Sequence, residues 1–178
     1  MALYKNTYRI ESTRLQMYDY AQAGDYFVTL CTHHHQCVLG NVHGEEMHLN
    51  EIGKIAQRCW EEIPQHFPNV ELDAFVVMPN HMHGIIIIND HGRDVQLNVS
   101  TGKTHASISA RKGSLSVIIR IFKAAVTTLC RTNGYHNFKW QSRFYDHIIR
   151  DEKDLDNVRN YIIDNPLKWA TDEENPDL

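Results

Sequence analysis

The stretch Phe75–Asn89, FVVMPNHMHGIIIIN, sets two runs of valine and isoleucine on either side of Pro79 and Asn80. Apolar β-branched runs of this length, bounded by turn residues, predict strands. Val70–Met78 and His83–Asn89 are therefore expected to pair as an antiparallel hairpin with Pro79-Asn80 at its turn. Successive side chains of a strand alternate faces, so His81 and His83, separated only by Met82, point the same way. Two neutral imidazoles on one face, held rigid by Val76, Val77, Ile85, Ile86 and Ile87, can offer two neighbouring ligands to a divalent cation.

Spacing alone does not single out this pair. Twelve histidines in 178 residues give about 0.8 His-x-His spacings by chance. The chain holds another, His33 and His35, inside Cys31-Thr-His-His-His-Gln-Cys37. Context separates the two. His33–His35 follow the strand-like run Tyr26–Leu30 into a polar turn, where imidazoles are usually solvated. His81 and His83 interrupt an apolar strand, where a polar group needs a partner.

With 178 residues, 42% hydrophobic and 22% charged, the chain reads as one ordinary globular domain. Its longest apolar run, Gly84–Ile88, is strand-sized, so no membrane span is expected. The opening MALYKNTYRIESTRL lacks the apolar centre of a signal peptide. Cys31, Cys37, Cys59 and Cys130 form no CxxC, which suits reduced thiols in a cytoplasmic protein.

The net charge of −4 hides an asymmetry. Residues 1–100 carry six Lys/Arg and twelve Asp/Glu; residues 101–150 carry nine against one, Asp146; residues 151–178 carry three against nine. Phosphate binding follows local potential, so the central basic block is a candidate nucleic-acid contact.

Tyr26–Thr32 reads as a first strand. Asn50–Phe67 has Ile52, Ile55, Ala56, Cys59, Trp60 and Ile63 at helical spacing. Asp90–Lys112 is a polar, glycine-containing excursion. Ser114–Arg131 is a second helix, with Leu115, Ile118, Ile119, Phe122, Ala125, Val126 and Leu129 inward and Arg120, Lys123 and Arg131 outward. Phe144–Ile149 is a fourth strand, and Asp151–Asn165 a third helix ended by Pro166. The expected fold is α+β: a ferredoxin-like antiparallel sheet of four or five strands with helices packed on it.

The third helix bears on the chemistry. Asp151 fits an N-cap, and Leu155, Val158 and Ile162 form a core stripe. Tyr161 and Asn165 stand four apart and share a face. If that face meets the histidine strand, Asn165 can supply a third ligand, leaving positions open for water and phosphate oxygens. Such a set suits Mg²⁺ or Mn²⁺ better than a closed zinc site. A nearby cation also lowers the cost of a Tyr161 phenolate.

Three motifs occur in one order: Met78-Pro79-Asn80-His81-Met82-His83, Trp140-Gln141-Ser142-Arg143-Phe144-Tyr145-Asp146-His147, and Tyr161-x-x-x-Asn165-Pro166. Together they resemble the HUH single-tyrosine transposases, and most closely the REP-associated tyrosine transposases, over about Tyr26–Lys168. The resemblance implies a metal held by His81, His83 and Asn165, and Tyr161 as nucleophile. It implies attack on a phosphodiester of single-stranded DNA to give a 5′-phosphotyrosine and a free 3′-OH, near hairpin ends. Arg120, Lys123, Arg131, Lys139, Trp140 and Arg143 are then the expected DNA contacts, with Trp140 stacking on bases. Tyr145 is expected to pack rather than react. A homodimer is also compatible. Two other readings stay open: an idle, domesticated regulator that binds hairpin DNA, and a metal-dependent hydrolase of small phosphoesters.

Overall fold

A computed structural model describes residues 20, 22–90, 113–172 and 175. The expected excursion lies outside them from residue 91 to 112. In chain order the elements are β1 (Gly24–Cys31), β2 (Gly40–His43), β3 (Glu46–Leu49), α1 (Glu51–Glu61), α2 (Ile63–His66), β4 (Val70–Val77), β5 (His81–Ile88), α3 (Leu115–Thr132), β6 (Tyr145–Ile149), α4 (Glu152–Ile163) and α5 (Asn165–Lys168). The main sheet runs β4-β5-β1-β6, and every neighbouring pair is antiparallel. With α1 between β1 and β4 and α3 between β5 and β6, this is the expected ferredoxin-like order.

Strand alternation divides the sheet into two faces. Tyr26, Val28 and Leu30 of β1 and Met82, Ile86 and Ile88 of β5 join the larger core with Trp60 of α1 and Phe122 of α3. The Trp60 ring fills the place that a Cβ on Gly84 would take, so β5 needs glycine between His83 and Ile85. The opposite face holds a smaller core of Phe27, Ile85, Ile149 and Ile162, with Leu155 and Val158 against it. The stripe read on α4 thus packs as expected, and it packs on the face that carries His81 and His83.

Caps explain the helix starts. The Asn50 side chain accepts from the Ile52 and Gly53 amides at 3.0 Å each, and Asp151 accepts from the Asp154 amide at 2.8 Å. An ion pair and a hydrogen bond fix α4 laterally: Arg159 Nη2 to Asp73 Oδ2 on β4 at 2.6 Å, and His147 Nε2 on β6 to Asp154 Oδ2 at 2.9 Å.

Two expectations are corrected. The helix expected through Asn165 ends at Ile163, and Asn165 opens the separate turn α5, because Pro166 has no amide to continue the helical ladder. The hairpin β2–β3 was not expected; its exposed face is polar (Asn41, His43, Glu46, His48), and its turn carries Gly44 at φ 64°.

Candidate functional site

His81 and His83 come from one strand and share the α4 face, with ring centroids 4.5 Å apart. His83 stacks on Phe27 at 5.3 Å. Tyr161, in the last turn of α4, brings its hydroxyl to 3.3 Å from His83 Nε2. The nucleophile candidate and the histidine pair therefore meet within one chain.

The partners of the ring nitrogens decide where the lone pairs point. Asn80 is fully buried; its Nδ2 donates to the His35 carbonyl at 3.1 Å, and its Oδ1 lies 2.8 Å from His81 Nδ1. A carbonyl only accepts, so the amide orientation is fixed, and Oδ1 must accept from a protonated Nδ1. The free lone pair of His81 is then on Nε2. On His83, Thr29 Oγ1 lies 2.9 Å from Nδ1, leaving Nε2 towards Tyr161.

Two buried polar atoms at this spot complete no hydrogen bond: His81 Nε2 and Asn165 Oδ1. The Asn165 side chain adjoins His81, yet both atoms are electron donors and cannot satisfy one another. Leaving a buried polar atom unmatched costs about 1–3 kcal/mol, which a cation held by both would relieve. His81 Nε2, His83 Nε2 and Asn165 Oδ1 thus fit a divalent metal as a donor set. Among the described residues no group of three His, Cys, Asp or Glu is arranged to hold one.

The electrostatics agree with that chemistry. Burial drives His81 down to about 4, opposed by the Asp172 carboxylate and the Asn165 side chain. Burial, and then the proximity of His81, hold His83 well below the ordinary imidazole range. Both rings are neutral at neutral pH, so no proton competes for their lone pairs.

The His33–His35 segment supports the site from behind. It forms a single 3-10 turn in which His34 and His35 are left-handed, at φ 55° and 52°, and its His35 carbonyl braces Asn80 behind His81. Sequence reasoning missed Asn80 and Thr29 as supports. Asn80 adjoins His81 in sequence and could have been suspected; Thr29 becomes visible only from the pairing Thr29↔His83.

The expected DNA contacts divide. Arg120, Arg131, Lys139 and Arg143 are exposed. Lys123 is turned down instead: its Nζ donates to the carbonyls of Gln141 at 2.8 Å and Arg143 at 2.9 Å, and burial lowers it to about 8. Trp140 is half-buried and packs against Phe122 (5.9 Å) and Phe138 (5.2 Å) at the edge of the larger core. Tyr145, expected to pack, is instead 50% exposed.

No family model matches the chain. An uncharacterized protein of Haemophilus influenzae is 39% identical over 163 residues, 91% of either chain. A second protein of that organism, provisionally named a REP-associated tyrosine transposase, is 59% identical over 29 residues, 16% of either chain. The structure of a REP-associated tyrosine transposase bound to a REP hairpin superposes with a TM-score of 0.58 at 22% identity, covering 89% of this chain and 74% of that one. The resemblance read from the histidine and tyrosine motifs is thereby borne out in the fold. The chain belongs to one family with the 39%-identical Haemophilus influenzae protein and has the fold of the REP-associated tyrosine transposase.

Proposed function

We propose that the protein is a transposase-type enzyme that cleaves and rejoins single-stranded DNA next to a hairpin, with Tyr161 as nucleophile. The observation that carries this reading is the 3.3 Å approach of the Tyr161 hydroxyl to His83 Nε2, beside two unmatched buried donors. A regulator that only binds hairpins needs neither. A hydrolase of small phosphoesters needs neither the tyrosine nor the cations around it.

His81, His83 and Asn165 would hold Mg²⁺ or Mn²⁺, which when bound neutralises charge on a phosphate oxygen and so favours attack at phosphorus. Phe27 and Ile85 make the floor under His83 dry, which strengthens electrostatic interactions there. The Tyr161 oxygen forms a bond to phosphorus while the P–O3′ bond breaks; the proton lost by the phenol is balanced by the one gained at the new 3′-OH. The 5′-phosphotyrosine conserves the bond energy, so a 3′-OH can reverse the step and join strands without ATP. All four residues belong to one chain, so one copy suffices and a homodimer is not required. Arg120, Arg131, Lys139 and Arg143 would contact phosphates, while Lys123 holds the segment that presents Arg143.

The test is incubation of the protein with labelled hairpin-bearing single strands and Mg²⁺ or Mn²⁺. A denaturation-resistant protein–DNA adduct that chelator abolishes is the expected result. Cleavage without any adduct would favour the hydrolase reading, and hairpin binding without cleavage the idle regulator.

A further inference from the structure

The row of residues that crosses the sheet at His83 is Val76–His83–Thr29–Tyr145, contributed by β4, β5, β1 and β6 in turn. Directly paired residues of an antiparallel sheet project to one face, so Tyr145 stands on the same face as the histidines. It lies two strand spacings from His83, roughly 10 Å. Phe27 links them: its ring contacts His83 at 5.3 Å, Tyr161 at 6.0 Å and Tyr145 at 6.5 Å.

Helix α4 covers this face unevenly. It is tied to β4 through Arg159 and Asp73 and to β6 through His147 and Asp154, yet Tyr145 at the β6 end of the row stays 50% exposed. The Tyr145 ring meets Phe27 edge-to-face at 70°. It is therefore steadied at one side while much of its surface faces solvent. Arg143, two residues before Tyr145, is exposed as well. An open aromatic surface with an exposed arginine two residues away in the chain, within ring contact of the residue under the nucleophile, has the chemistry that single-stranded nucleic acid needs: a π-face for a base and positive charge for its phosphates.

We propose that Tyr145 is a stacking platform for a nucleobase of the single strand flanking the phosphodiester that Tyr161 attacks. This rests on the reading of the site as a single-strand DNA nicking centre and adds to it a positioning residue.

The test uses the full chain and two probes: a DNA hairpin with a single-stranded extension carrying 5-iododeoxyuridine, and the same hairpin without the extension. Tyr145→Ala raises Kd for the extended hairpin on the order of tenfold, with a smaller change for the hairpin alone. Tyr145→Phe, which keeps the ring, restores the affinity, and irradiation of the wild-type complex crosslinks the extension to Tyr145 as mapped by mass spectrometry. Equal affinity of Tyr145→Ala and wild type for the extended hairpin, or crosslinks confined to other residues, would overturn the assignment. If wild type still forms the Tyr161 adduct in that case, only the platform fails. If wild type binds neither probe, the platform and the nicking reading fall together.

Discussion

The chemistry of the site turns on which nitrogen of each histidine is free, and Asn80 fixes that for His81 through the His35 carbonyl. Asn80→Ala should therefore lower Mn²⁺ affinity by roughly ten- to a hundredfold, the usual effect of removing a residue that orients a ligand, with the circular dichroism spectrum unchanged. Calorimetric titration checks this; unaltered affinity would show that the strand alone orients His81. The buried imidazoles also set a pH dependence. An unfolded chain protonates histidine near 6.5, whereas folded His81 resists down to about 4. The unfolded state thus binds more protons between those values, and the metal-free protein should lose stability as pH falls from 6.5 towards 4. Thermal melts in chelator measure the slope, which His81→Leu should flatten. The residues that gather at this spot, His81, His83, Tyr161 and Asn165, were all legible in the sequence. Lys123 was not, because helical periodicity gives the direction of its Cβ but not the path of a four-carbon stem, which here folds onto two carbonyls. Tyr145 was misread because alternation names its face and says nothing of what covers that face.

Among the elements, β5 and α4 bear the site, and their sequences announced them: one by its isoleucine run, the other by Asp151 and the Leu155, Val158, Ile162 stripe. Gly84 was part of that strand signal, but its reason lies in α1. Gly84→Ala drives a methyl into the fully buried Trp60 ring and should cost about 1–3 kcal/mol, as overpacking generally does; a lower denaturation midpoint in urea checks it, and an unchanged one would mean that Trp60 can shift freely. Arg159 acts differently. Its pair with Asp73 is partly exposed, so Arg159→Ala should cost no more than about 1 kcal/mol. Because that pair sets α4 on the sheet, single-turnover cleavage should fall by a larger factor than stability accounts for. Equal cleavage in the variant would show that the smaller core positions Tyr161 unaided. The β2–β3 hairpin left only a faint trace in the sequence, since Val42, Met47 and Leu49 alternate with exposed polar residues over strands of just four residues, too short to establish a period.

In the whole molecule, net charge of −4 and a basic stretch over residues 101–150 coexist, and the fold places Arg120, Arg131, Lys139 and Arg143 at the surface. Neutralising Arg120 and Arg143 together should weaken hairpin binding and reduce the salt slope by roughly 0.7 to 0.9 for each phosphate that is no longer neutralised. A slope equal to wild type would make these charges solvating only. The ferredoxin-like order was legible because each long element carried its own period, and Pro79-Asn80 fixed one hairpin. Nothing in a single sequence could show that α4 docks on its own sheet and not elsewhere, since an apolar stripe names no partner. That docking is what brings Tyr161 to His83, and one measurement probes its proposed role most directly: mass spectrometry of the adduct trapped on hairpin-bearing single strands with Mn²⁺. The adduct should sit on Tyr161, persist in Tyr145→Phe, and vanish in Tyr161→Phe while hairpin binding remains. An adduct on Tyr145, or cleavage that survives Tyr161→Phe, would contradict the assignment of Tyr161 as nucleophile.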